Sequence, residues 1–337
     1  MTAVTRPWPA GSSTGIGSMP GTDPDEAAAV VLGETVGLPY LPELPERGAG
    51  ADMVGRAAAL LAELHVDLQP SGWRVVARGG ADERRADEML RRDLDALEIA
   101  TYGYTGALKV QVAGPLTLAA SLQTESGSAM VSDHGARRDL AQALAAGVAE
   151  HVAEVQRRVP GAEVVLQVDE PMAPRVLGGT VPTASGLATL RAVPREECQA
   201  LIAEVLQASS SVPVVHCCDS EPPLGMFRAA GAAALAVDVG AMPTRAWEQI
   251  AEAVEAGIGV VAGVLPTDPP DADLPSVAEA ADTLRRPWTA VGLPVSELAD
   301  VVVAPACGLA GWSPDGARGV LNRLREVAEA VTEDAAD

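Results

Sequence analysis

Three residues carry the strongest chemical signal in this sequence: His216, Cys218 and Cys307. His216 and Cys218 are two apart, and on an extended segment residues i and i+2 face the same side. Cys217, between them, then faces the opposite way. Two thiolates and one imidazole suit zinc, a metal that takes soft and borderline ligands. Asp238 lies between Cys218 and Cys307 in the chain and is the expected fourth ligand. A weak or displaceable fourth ligand makes such a site catalytic. A thiol brought to that metal loses its proton near neutral pH and becomes a nucleophile. Plainer readings hold for the other candidates. A lone buried cysteine is ordinarily a small apolar side chain, the reading kept for Cys198 and Cys217. His65, His134 and His151 lie in helical or loop contexts and read as surface or packing residues.

Ligands at 216, 218 and 307 need a fold that gathers distant segments. Short apolar, β-branched runs alternate here with longer Ala/Leu-rich helical patterns. Eight runs read as strands, around 15–18, 38–41, 108–112, 163–168, 212–216, 234–237, 258–261 and 301–304. Near-continuous apolar strands separated by helices indicate a parallel sheet covered on both faces. Eight of them indicate a single-domain (β/α)₈ TIM barrel, with an open doubly wound sheet as the alternative. No Gly-rich dinucleotide fingerprint follows a strand, which argues against the open sheet. The barrel is expected over residues 14–332, with a flexible segment at 1–13 and a frayed tail at 333–337. Asp23-Pro24-Asp25-Glu26 and Ser313-Pro314-Asp315 read as helix starts. The polar, Arg-rich stretch Ser71–Arg85 reads as an exposed excursion between the second and third strands.

Catalysis in a barrel sits at the carboxyl ends of the strands. Those ends carry, in order, Ile16-Gly17-Ser18, Pro42-Glu43-Leu44-Pro45-Glu46, Gly114-Pro115-Leu116-Thr117, Asp169-Glu170-Pro171, His216-Cys217-Cys218, Asp238 and Cys307-Gly308. Asp169 and Glu170 read either as strand-end capping or as a grip for a substrate ammonium group.

Composition limits the partners. The formal charge is −22, with 46 acidic against 24 basic residues. Such a surface repels phosphate backbones and anionic lipid, so nucleic acid and membranes are poor partners. Residues 1–13 hold no apolar run, so no signal peptide or transmembrane span is expected, and the protein reads as cytoplasmic. Four cysteines in 337 residues argue against a disulfide framework and leave metal binding open.

Taken in order, these strand ends resemble the catalytic half of cobalamin-independent methionine synthase. The match runs from Gly15 to Trp312, and its ordered set is specific although each motif is short. The resemblance implies a zinc (β/α)₈ barrel that activates homocysteine for methylation to methionine. It implies zinc ligands at His216, Cys218 and Cys307-Gly308-Leu309, and substrate contacts at Ile16-Gly17-Ser18 and Asp169-Glu170-Pro171. A further homocysteine-gripping Glu, upstream of Asp52-Met53-Val54, corresponds to Glu43 or Glu46.

The departures fall on one side of the site. The family's fourth ligand is Glu, and Asp238 has a shorter arm. The Trp that stacks on methyl-folate after the Gly-Pro turn is missing from Ala119-Ala120-Ser121. The acid His after the seventh strand is missing from Val264-Leu265-Pro266-Thr267-Asp268. The second, N-terminal barrel of long members has no counterpart. The sequence therefore resembles short, core-type methionine synthases, and a methylated corrinoid protein is the expected donor and partner. Two alternatives stay open. One is a zinc corrinoid:thiol methyltransferase of the uroporphyrinogen decarboxylase-like kind, acting on another thiol. The other is a non-catalytic zinc- or amino-acid-binding homologue.

Overall fold

The computed structural model describes residues 6–335. Its centre is a six-stranded parallel sheet built from the last six expected runs. After a first hairpin, β1 (His65–Gln69) and β2 (Gly72–Val76), these strands are β3 (Gly106–Ala113), β4 (Ala162–Asp169), β5 (Val212–Cys217), β6 (Ala234–Asp238), β7 (Gly259–Leu265) and β8 (Val302–Pro305). They lie in sequence order, each hydrogen-bonded to the next.

The first two expected strands form no ladder. Residues 12–19 and 36–43 are joined to their neighbours by isolated parallel bridges, Ser13 to Val303 and Gly37, Ser18 to Glu43, and Tyr40 to Lys109. Backbone hydrogen bonds at these bridges continue the path from β8 to β3. Thr14 N–H donates to Val303 O, Glu43 N–H to Gly17 O, and Leu41 N–H to Lys109 O. Pro39 and Pro42 have no N–H to give, which limits regular pairing there. At Gly15 a Cβ would fall 2.3 Å from the Tyr40 hydroxyl, so only glycine lets these segments pass.

The helices are α1 (Pro24–Glu34), α2 (Met53–Ala59), α3 (Ala81–Ala100), α4 (Pro115–Ser121), α5 (His134–Arg158), α6 (Ala173–Gly178), α7 (Arg195–Leu206), α8 (Leu224–Ala229), α9 (Thr244–Glu255), α10 (Val277–Ala290) and α11 (Pro314–Asp334). Both expected starts are present. Asp23 accepts from the backbone N–H of Asp25 and Glu26, with Pro24 at the first position, and Ser313 accepts from Gly316 N–H. No helix among the described residues is long and apolar enough to cross a membrane.

The apolar interior has two parts. A large shell fills the space between sheet and helices. A smaller cluster of Ile16, Leu38, Val165, Val214, Ala236, Val261 and Val302 includes Trp8. That last contact corrects the expected flexible segment. Residues 1–5 lie outside the described residues, but Trp8, Ser12 and Ser13 are buried. Removing an indole from water ties the chain down from Trp8 onward. The expected frayed tail is corrected in part, since α11 runs to Asp334; residues 336–337 lie outside the described residues. Ser71–Arg85 is not a loose excursion either. It supplies β2, which pairs antiparallel with β1, and then the first turn of α3, while Trp73 is buried.

Candidate active site

β5 ends in His216 and Cys217, and β8 is followed by Cys307, so both strands deliver their ligands at the same end of the sheet. Among the described residues, His216, Cys218 and Cys307 form a group whose ligand atoms all lie within 4.8 Å of one another. The two sulfurs are 3.6 Å apart. Tetrahedral zinc with bonds of about 2.3 Å separates two sulfurs by about 3.8 Å, so the pair is already at zinc spacing. His216 Nδ1 lies 3.2 Å from the Ala236 carbonyl. That contact suits an Nδ1–H donor and leaves Nε2 as the free electron pair, the usual arrangement of a metal-binding imidazole. The donor set and its spacing fit zinc. Cys217 points into the apolar shell, and its thiol is pushed up to about 12 by burial. Cys198, on α7, is likewise buried among apolar side chains.

The expected fourth ligand, Asp238, is not in this group. Its Oδ1 accepts from the backbone N–H of Gly240, 3.0 Å, and Ala241, 3.2 Å. On its one-methylene arm, the carboxylate closes the turn after β6. Its pKa is raised, chiefly by burial.

The carboxylates divide by task. Glu43 and Asp169 are buried, and each is aimed by an amide. Gln111 Nε2 donates to Glu43 Oε1 at 3.1 Å, and Gln167 Nε2 donates to Asp169 Oδ1 at 2.7 Å. Burial pushes both acids upward, against Arg56 at Glu43 and His216 at Asp169. Asp169 pairs in register with His216, which places a carboxylate beside the strand that carries the imidazole. Ser18 lies against the last ligand loop. A Cβ on Gly308 would stand 2.0 Å from Ser18 Oγ, and Leu309 N–H donates to Ser18 O. Ile16 and Gly17 are buried on the same segment.

Two expected substrate residues are otherwise engaged. Both oxygens of Glu170 are consumed by the start of α4. Oε1 accepts from Leu116 N–H at 2.9 Å, and Oε2 from Thr117 N–H and the Thr117 hydroxyl at 2.8 and 2.7 Å. Gly114 offers no side-chain cap, so Glu170 supplies it from β4. These bonds match the capping reading of Glu170, at the start of α4. Glu46 is exposed and accepts from Gly21 N–H at 3.1 Å.

The structure also shows buried polar groups away from the strand ends. Lys109, Gln111 and Gln167 lie inside β3 and β4, and Arg56 of α2 bridges Glu43, 3.7 Å away, to Asp93 of α3. Their signal was present in the sequence. A Lys and two Gln at alternate positions of otherwise apolar runs put polar groups on one face of buried strands.

Comparison with known proteins agrees with this geometry. The family described as "Cobalamin-independent synthase, Catalytic domain" matches residues 12–330. No curated protein sequence matches the chain. Among solved structures, a B12-independent methionine synthase from Shewanella sp. W3-18-1 in complex with selenomethionine superposes with a TM-score of 0.63. The identity is 15%, over 97% of this chain and 99% of that one, a likeness of fold. With the family match covering nearly its whole length, the chain belongs to the cobalamin-independent synthase catalytic-domain family and is a methyltransferase of the methionine synthase type.

Proposed function

We propose that this enzyme methylates the thiol of homocysteine, giving methionine, at a zinc held by His216, Cys218 and Cys307. The observation that carries this reading is the 3.6 Å separation of the two sulfurs beside an imidazole whose other nitrogen is already engaged. Zinc bound there supplies the positive charge that makes a thiol ionise near neutral pH. The rest of the work falls to the protein. Asp169 and Glu43 are two buried carboxylates held by amides, suited to one substrate ammonium group. Ser18, against Gly308 and so beside Cys307, is suited to orient the same amino acid. Of the two candidate glutamates, Glu43 takes the role, because it is buried and aimed whereas Glu46 faces solvent. The substrate sulfur forms its bond to the methyl carbon as the bond from that carbon to the donor breaks. The electron pair of the broken bond leaves with the donor, and in-line placement supplies much of the rate. The eight-position barrel belongs to the same reading: residues 12–19 and 36–43 fill the two places between β8 and β3, in one catalytic unit over residues 14–332.

The donor reading rests on what the mouth lacks. After Gly114-Pro115-Leu116-Thr117, α4 continues with buried Leu118 and Ala119 and small Ala120 and Ser121, none able to stack on a pterin. The segment after β7, Pro266-Thr267-Asp268, holds no histidine to protonate a leaving amine. These residues favour a methyl-corrinoid donor. The family description, cobalamin-independent, runs against it, and the comparisons lend it no support. A steady-state assay with homocysteine and either methylcobalamin, methyl-folate or its polyglutamate decides. The expected result is methionine from methylcobalamin and little from either folate. Efficient turnover of methyl-folate with inert methylcobalamin overturns the donor and leaves the thiol half standing. Full zinc with no methylation from any donor supports the non-catalytic alternative.

A further inference from the structure

Four residues before the end of β3, Lys109 is fully buried, paired in register with Val165 of β4. Its Nζ donates to Ile16 O at 2.9 Å and to Gln167 Oε1 at 2.8 Å, and lies 5.1 Å from the centre of the Tyr40 ring. Burying an ammonium group is costly, and an apolar side chain of similar length would fill this space without that cost. What the charge achieves is visible in its two partners.

The first partner is an amide with two ends. Lysine only donates, so the oxygen of Gln167 must face it. The Gln167 NH₂ is thereby turned the other way, where it donates to Ile16 O at 2.8 Å and to Asp169 Oδ1 at 2.7 Å. The second partner is the Ile16 carbonyl itself, which receives both the lysine and the amide and so anchors the segment leading to Ser18. Asp169 is therefore held as an acceptor by Oδ1, with its other oxygen free. Lys109 acts on Asp169 and Glu43 through space, and burial lowers its pKa against that pull.

We infer that Lys109 is a positioning residue for the amino-acid end of the substrate: through Gln167 and the Ile16 carbonyl it fixes Asp169 and the Ile16-Gly17-Ser18 segment in one arrangement. The inference rests on the homocysteine reading above. It separates the two ends of the substrate, since Lys109 serves the ammonium grip and has no bond to the cysteines.

The test compares two thiols on zinc-loaded protein by calorimetry: homocysteine, and 4-mercaptobutanoate, which lacks only the amino group. Lys109→Met and Gln167→Met each remove one link while filling the space. The wild-type chain is expected to prefer homocysteine. Each variant is expected to lose that preference by about tenfold or more, the scale of a charge-assisted hydrogen bond. Affinity for 4-mercaptobutanoate and zinc content are expected to stay at wild-type values. Undiminished preference in the folded variants overturns the inference. A parallel loss of both thiols and of zinc assigns Lys109 to packing alone and overturns it too. If Lys109→Met yields no folded protein, Gln167→Met carries the same comparison. Equal affinity of the wild-type chain for the two thiols overturns the amino-acid reading itself, a result distinct from failure of the Lys109 role.

Discussion

Two thiols at 3.6 Å share protons unequally when no cation lies between them. The hydrogen bond shared with Cys218, and then the neighbouring His216, push the Cys307 thiol down to about 4, while the same bond drives Cys218 well upward. The pair thus offers one ready thiolate and a second that only a cation draws out, so metal capture releases a proton. Purified without chelator, the protein should carry about one zinc per chain. Cys218→Ser and Cys307→Ser should each strip most of it, while Cys198→Ser, Cys217→Ser and Asp238→Asn should retain it. Metal analysis of the five variants is the check, and stoichiometric zinc in the Cys307 variant removes that residue from the site. The triad was legible because strand alternation aims positions 216 and 218 to one side. The turn bonds of Asp238 to Gly240 and Ala241 were not, because they depend on backbone geometry that residue types do not specify.

At the level of elements, α4 owes its start to another strand. A helix beginning Gly114-Pro115 has no side-chain cap of its own, and Glu170 of β4 satisfies two of its N–H groups. Glu170→Gln sets an NH₂ against those donors, an expected loss of about 1–3 kcal/mol. Homocysteine affinity per folded molecule should stay unchanged. Denaturant melts with calorimetry read both, and a binding loss without a stability loss would return Glu170 to the substrate. The apolar runs of β3–β8 were readable because strands covered on both faces need little polarity. The β1–β2 hairpin was not, because the Arg and Gly residues after Ser71 masked the buried Trp73. Lys109, Gln111 and Gln167 escaped notice because barrel chemistry is sought beyond strand ends, and these sit within them.

Across the whole molecule, buried ionisable groups set opposing responses to acid. His151 of α5 is depressed to about 4, first by burial and then by Arg56. Between the ordinary histidine value near 6.5 and about 4, the unfolded chain holds the extra proton. The stability this group contributes is present above pH 6.5 and is lost as pH falls to about 4, up to roughly 3 kcal/mol. Glu170, raised to about 7 chiefly by burial, works in reverse: its contribution is present below about 4.5 and is lost as pH rises to about 7. The wild-type slope is therefore a partial cancellation. The difference between His151→Gln and wild type isolates the histidine's contribution: the variant's relative melting temperature should climb as pH drops from 6.5 to 4. A difference that stays constant over that window would show that His151 takes up no proton on unfolding.

The isolated bridges at residues 12–19 and 36–43 have a consequence in time as well as in space. Six strands are laced by continuous ladders, and the two segments between β8 and β3 only by isolated bridges, so that stretch is a seam, and the seam carries Ser18 and Glu43. Local openings start where the fewest bonds must break together. Amide hydrogens along the seam should trade for deuterium ahead of those in β3–β8, and saturating homocysteine should slow them most. Equal protection of the seam and of β3–β8, unchanged by the thiol, would mean that the seam does not breathe. If it does, the amino-acid grip is the latch of the molecule, and ligand occupancy sets how often it springs.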